Sequence, residues 1–140
     1  MRGKLEHMKN TIRILGLDPG LRRLGWGLID VEGARLSWVG HGVIEPDTKA
    51  DLAVRLLQLF EGLSAVIAQW SPDEVAIEET FVNMNPSSTL NLGHARAAAM
   101  LAPARAGLPV AEYAASWRRF TAGSACRTWR MGPAGASRSA

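Results

Sequence analysis

I-R-I-L-G-L-D-P-G-L-R-R-L-G-W-G-L-I-D, residues 12–30, is the stretch around which the rest of the chain is arranged. The apolar run Ile14–Leu17 ends abruptly in an acid, Asp18. A Pro19-Gly20 turn follows, and a second apolar run spans Trp26–Ile29. Strand, acid, tight turn, strand is the plainest reading, because proline presets φ and glycine accepts positive φ. Asp-Pro-Gly by itself is what an ordinary turn contains. It gains meaning only if a second acid arrives beside Asp18, since an acid at a strand end can meet a metal or a phosphate at the mouth of a sheet.

Working outward, Ile12–Leu17 reads as a continuous central strand. Gly25–Ile29 is the second strand, whose glycines point to close backbone approach or a bulge. After the Glu32-Gly33 turn, Arg35–Val43 alternates as a third. Leu36, Trp38 and Gly40 are expected on one side, with Ser37, Val39 and His41 on the other. The three strands form an antiparallel meander. Thr48, with Asp51 three residues on, resembles a capping box. From there Leu52, Leu56, Leu59, Phe60, Leu63, Val66, Ile67 and Trp70 recur at helical spacing until Ser71-Pro72. Val75-Ala76-Ile77 is a short buried strand with Glu78 at its carboxyl end. A strand after a crossover helix pairs parallel to an earlier one. If that partner is the first strand, Asp18 and Glu78 emerge side by side, at the strand ends where such sheets bind ligands. A loop at 81–88 leads to a second helix from Thr89 to about Ala106, capped by Ser87 or Ser88, with a bend expected near Pro103. Gly107 stops it, and Val110–Tyr113 is a fifth strand. The fold class is therefore α/β.

The 140 residues suffice for one domain with a core, and 47% hydrophobic with 21% charged content fits a globular protein. No uninterrupted apolar run reaches the ~18 residues of a membrane span. The amino terminus lacks the apolar core of a secretory signal. The expectation is a cytoplasmic protein with no membrane partner. The single cysteine, Cys126, allows no internal disulfide and no cysteine-rich zinc site. The net charge of +3 points weakly to nucleic acid. Residues 1–115 hold all 13 acids and 11 of the 16 Lys and Arg. The basic excess thus lies in residues 116–140, which contain five arginines and no acid. An argument for nucleic acid has to come from the site.

Two carboxylates on adjacent strand ends suit Mg²⁺, which takes oxygen ligands and often only one or two carboxylates beside substrate phosphate. With further acids, two ions about 3.5–4 Å apart clamp a phosphodiester. Asp18 is then the bridging ligand and Glu78 the second. Glu79 faces the other way, because side chains alternate along a strand. Glu78 and Glu79 read equally as the solvated end of a strand. Phe81 sits in the loop beside the site, where an aromatic can stack on bases or fold back onto the core. Asn83, Asn85, Ser87 and Ser88 are candidate phosphate contacts, the last two at a helix N-terminus. Surface-loop polarity accounts for them as well.

Four segments together, I-L-G-L-D-P-G-L-R-R-L-G-W-G-L-I at 14–29, V-A-I-E-E-T-F-V-N-M-N at 75–85, S-S-T-L-N-L-G-H-A-R at 87–96 and V-A-E-Y-A at 110–114, resemble the RuvC family of bacterial Holliday junction resolvases. The likeness covers residues 11–115, in order and with matching spacing. It implies a ribonuclease H-like fold, with a five-stranded mixed sheet whose first three strands are antiparallel, flanked by helices. It also implies a homodimer with two Mg²⁺ per active site, nicking opposed strands of four-way junction DNA in recombination and repair. Branch-migration helicase subunits of the RuvA and RuvB type are the implied partners. Asp18 and Glu78 match two of the family's catalytic acids, Phe81 its junction-inserting aromatic, and the helix from Thr89 its subunit-pairing helix.

The tail departs from that pattern. The family continues through a lysine-containing stretch into a helix bearing two more acids, and residues 116–140 contain neither acid nor lysine. The expected organisation is a disordered leader at 1–10, an incomplete resolvase domain at 11–115 lacking its C-terminal helix, and an out-of-frame basic tail at 116–140. Such a chain is expected to be weakly active or inactive. Alternatives are a non-catalytic junction-binding remnant and a ribonuclease H-like nuclease acting on RNA. An actin-like or sugar-kinase ATPase needs two such domains, more than 140 residues hold.

Overall fold

Strand β1 (Thr11–Asp18) runs through the middle of a single five-stranded sheet, and its neighbours explain its composition. It pairs antiparallel with β2 (Leu24–Glu32) and parallel with β4 (Glu74–Glu78). The edges are β3 (Arg35–Ile44), antiparallel to β2, and β5 (Val110–Tyr113), parallel to β4. The order is β3-β2-β1-β4-β5. A computed structural model describes residues 10–79 and 85–113. The leader, the tail from Ala114 onward, and the predicted site residues Phe81 and Asn83 lie outside these.

Helices α1 (Leu52–Trp70) and α2 (Pro86–Arg105) share one face of the sheet. The register puts Leu15 opposite Leu28, and Leu17 between Trp26 and Ile77. These side chains point at the helices and meet Leu59, Leu63, Val66 and Ile67 of α1 with Ala95, Ala98, Ala99 and Ala102 of α2. Leu15, Leu28, Leu59 and Leu63 are wholly buried, each contributing about 2 kcal/mol of transfer free energy. The α2 alanines thus serve close packing within the chain. By length and mean hydropathy of 1.3, α1 could cross a membrane. It carries Glu61 outward, however, and buries Leu59, Leu63, Val66 and Ile67 against the sheet.

Three local expectations need correction. The alternation of β3 breaks at a bulge: Trp38 pairs with Ile29, yet Gly40 pairs with Leu28, leaving Val39 as the extra residue. Trp38 and His41 therefore share the face away from the helices, with rings 5.3 Å apart. Gly40 turns toward Trp70, and Val39 packs on the core. The capping box at Thr48 does not form. Asp51 is the N-cap of α1, without a side-chain cap bond, while Asp47 accepts from the Lys49 amide at 2.9 Å. The cap of α2 is Asn85, two to three residues earlier than Ser87 or Ser88. Pro103 does lie inside α2, buried.

Glycine is used for contact at Gly42, where an added Cβ would stand 2.6 Å from the Trp26 ring. Trp26 in turn stacks obliquely on Trp70, with centroids 6.3 Å apart. Gly107, at φ +74°, supplies the left-handed residue that ends α2.

Candidate metal and phosphodiester site

Asp18 closes β1 and Glu78 closes β4, each one residue beyond the pair Leu17–Ile77. Parallel neighbours lie about 4.8 Å apart. Because Leu17 and Ile77 point into the core, alternation sends Asp18 and Glu78 together to the opposite face. Tyr113 ends β5 directly beside Glu78. These three residues border a cleft of about 270 Å³ whose floor is Gly16, Gly25 and Gly27. The glycines keep that floor free of side chains: a Cβ on Gly25 would already stand 3.8 Å from the Cβ of Asp18.

Among the described residues, the lining of the cleft carries two carboxylates and no cation. Positive charge lines a separate cleft, formed by Arg22 and Arg23 with residues 45–48. Arg22 and Arg23 are exposed on the turn that follows Asp18, and Arg23 lies 3.4 Å from Glu45. Arg55 of α1 fastens this turn by donating to the Leu21 carbonyl at 3.0 Å. On the helix side of the sheet, Arg96 of α2 donates to the Glu78 carbonyl and to the Glu112 carboxylate. The Glu79 amide donates to the Tyr113 carbonyl at 2.7 Å.

The donor set fits a hard divalent cation: two oxygen ligands from neighbouring strands, in an open cleft with room for water and a phosphate. Among the described residues no group of three or more His, Cys, Asp or Glu gathers at one point. The fit is therefore to one ion held by two carboxylates.

Of the residues expected from sequence, Asp18 and Glu78 come together. Glu79 is exposed beyond the strand end. Asn85, Ser87 and Ser88 do not line the cleft. The Asn85 side-chain oxygen accepts from the Ser87 and Ser88 amides at 3.0 and 3.4 Å, so the backbone donors expected to meet phosphate are bound to the cap. Tyr113 and Arg96 were missed. Tyr113 could have been found by register, as the last residue of a strand beside Glu78. Arg96 stands as a lone cation in the run A-R-A-A-A, and nothing local in the sequence names Glu112 as its partner.

The sequence model of the family described as crossover junction endodeoxyribonuclease RuvC matches residues 14–124. A RuvC from Caulobacter vibrioides is 68% identical over 101 residues, 72% of this chain. The chain spans 60% of that relative's length. Among solved structures, T. thermophilus RuvC in complex with a Holliday junction substrate superposes with a TM-score of 0.68 at 24% identity, covering 75% of this chain and 66% of that one. The yeast mitochondrial Holliday junction resolvase superposes at 0.53 with 13% identity, over 74% and 53% of the two chains. The sheet order and these superpositions make the fold ribonuclease H-like, with its first three strands antiparallel.

Proposed function

Because this chain belongs to the RuvC family, we propose that Asp18 and Glu78 are the metal-binding half of a Mg²⁺-dependent site that hydrolyses phosphodiesters in four-way DNA junctions. The observation that carries this reading is the Leu17–Ile77 pairing, which delivers both carboxylates to one glycine-floored cleft. When bound, the ion supplies Lewis-acid activation of water and of the phosphodiester. Asp18 and Glu78 hold it, and the glycine floor leaves space for the sugar-phosphate chain. Arg22 and Arg23, exposed on the turn that follows Asp18, meet phosphates farther along the DNA. The substrate class follows the T. thermophilus relative, which was solved with a Holliday junction.

Symmetric nicking requires two copies. An exposed stripe on α2, Leu90, Gly93, Ala97 and Leu101, has the helical spacing of a pairing face, and Leu90 and Leu101 are about three-fifths exposed. We assign the homodimer to this stripe, and branch-migration subunits of the RuvA and RuvB type to the assembly around it. A second reading, junction binding with little cleavage, is favoured by the count of two carboxylates in the described cleft.

The purified chain, incubated with a synthetic four-way junction, is expected to retard it in a gel. Paired nicks should appear only with Mg²⁺, slowly, and vanish in Asp18→Asn and Glu78→Gln. Retardation without nicks selects the binding reading. Failure to retard the junction overturns both.

A further inference from the structure

The proposed reaction makes no use of Arg96, although the fold spends a nearly buried arginine there. Its side chain is 17% exposed, on a helix whose buried residues are Ala95, Ala98, Ala99, Ala102 and Pro103. Immobilising a guanidinium costs rotamer freedom and hydration, so its partners have to account for it. One N–H donates to the carbonyl of Glu78 and another reaches the carboxylate of Glu112. Glu112 pairs in register with Ile77, whose side chain faces the helices, so Glu112 meets Arg96 on the face opposite the cleft. The acceptor on β4 is the peptide immediately following the Glu78 side chain, where the strand ends and the chain leaves the sheet.

We propose that Arg96, held by Glu112, is a positioning residue for Glu78. It fixes the last peptide of β4 from behind, and so sets the direction in which the Glu78 carboxylate enters the cleft. A strand end frays readily where its ladder stops. On the β1 side the pairing stops at Leu17–Ile77, one residue short of Glu78. On the β5 side the Glu79 amide is tied to Tyr113. The planar fork of an arginine can bridge a backbone carbonyl and a carboxylate at once, which a lysine ammonium does less well. The clamp rests on reading Asp18 and Glu78 as ligands of one ion. Groups that orient metal ligands from outside typically change affinity by about 10- to 100-fold.

The test is a Mn²⁺ titration of the full chain followed by electron paramagnetic resonance, alongside thermal unfolding. Arg96→Met is expected to weaken Mn²⁺ binding about tenfold, and Glu112→Gln about threefold, in the same direction. Arg96→Lys should recover only part of the loss. A purely structural arginine would lower the unfolding temperature and leave the affinity of the folded protein unchanged. Should Arg96→Met fail to fold, Arg96→Lys and Glu112→Gln carry the comparison. Wild-type affinity in those folded variants overturns the clamp alone. Absence of any Mn²⁺ binding that depends on Asp18 overturns the metal reading, and the clamp with it.

Discussion

The two ends of β1 use acidic residues in opposite ways. At its amino end, Arg13 and Asp30 face one another across β1 and β2 and form a two-pronged ion pair, Nε to Oδ1 at 2.8 Å and the second prong at 2.9 Å. The same guanidinium donates to the Trp70 carbonyl at 3.0 Å, closing the end of α1. Asp73 accepts from the Arg13 amide at 2.7 Å and returns its own amide to the Arg13 carbonyl at 2.8 Å. The hydrogen bond to Asp30, against the cost of burial and aided by the charges of Asp30 and Asp73, holds the Arg13 guanidinium above its ordinary pKa. At the carboxyl end, Asp18 and Glu78 turn into a cleft whose lining, among the described residues, holds no Lys or Arg. Charges that serve the fold are matched within it. Two carboxylates brought to one cleft by adjacent strands offer a cation two oxygen ligands, and this marks the second end as a candidate site.

The contrast can be broken from either side. The largest effect is expected from Asp18→Asn. Removing one of two charged ligands should cut Mn²⁺ affinity by about a hundredfold or more, roughly 2.7 kcal/mol. It should leave unfolding within about 0.5 kcal/mol of wild type, since the side chain is exposed. A large loss of stability in this variant would mean that the site end, too, is structural. Arg13→Met should do the reverse. It removes the two-pronged pair with Asp30 and the bond to the Trp70 carbonyl, at a cost of about 2 kcal/mol measured by urea unfolding. The value lies below that of a deeply buried pair because both side chains remain about one quarter exposed. Mn²⁺ affinity of the folded Arg13 variant should be unchanged.

How much of this was legible in the sequence follows from the range of each interaction. The strands, both helices and the meeting of Asp18 with Glu78 were all readable. Each rests on periodicity, on turn residues or on the rule that a crossover helix returns a parallel strand. The bulge at Val39 was not, because a single inserted residue leaves the alternating pattern looking intact and is set by how Trp38, Gly40 and Trp70 pack. Arg13 as a staple was equally hidden. Its partners, Asp30, Trp70 and Asp73, lie 17 to 60 residues away. The site residues Arg96 and Tyr113 depend on the register of β5, the last strand to be placed. The helix starts were misread for a local reason: Thr48 and Asp51 have the capping-box spacing, but the chain stays in a turn through Ala50 and enters the helix at Leu52.

That last misreading supplies the smallest predicted effect, and one that sharpens the contrast between the two ends. Both helices begin near the carboxyl end of β1, so their first turns belong to the side of the molecule that carries the site. If α2 is held at its start by a neutral cap where the amino end of β1 is held by an ion pair, stability should respond to Asn85 and ignore Thr48. Asn85 satisfies two otherwise orphaned amides of α2 through one side-chain oxygen. Asn85→Ala should therefore cost about 1 kcal/mol. Thr48→Ala, which removes a hydroxyl from an exposed turn outside α1, should change stability by less than about 0.5 kcal/mol. Raising the salt concentration should leave the Asn85 loss intact while shrinking the loss from Arg13→Met, because screening weakens a partly exposed ion pair and spares a neutral cap. Two losses that shrink together in salt would mean that the start of α2 is held by charge as the Arg13 end is, and the distinction between a neutral cap and an ion-paired staple would no longer stand.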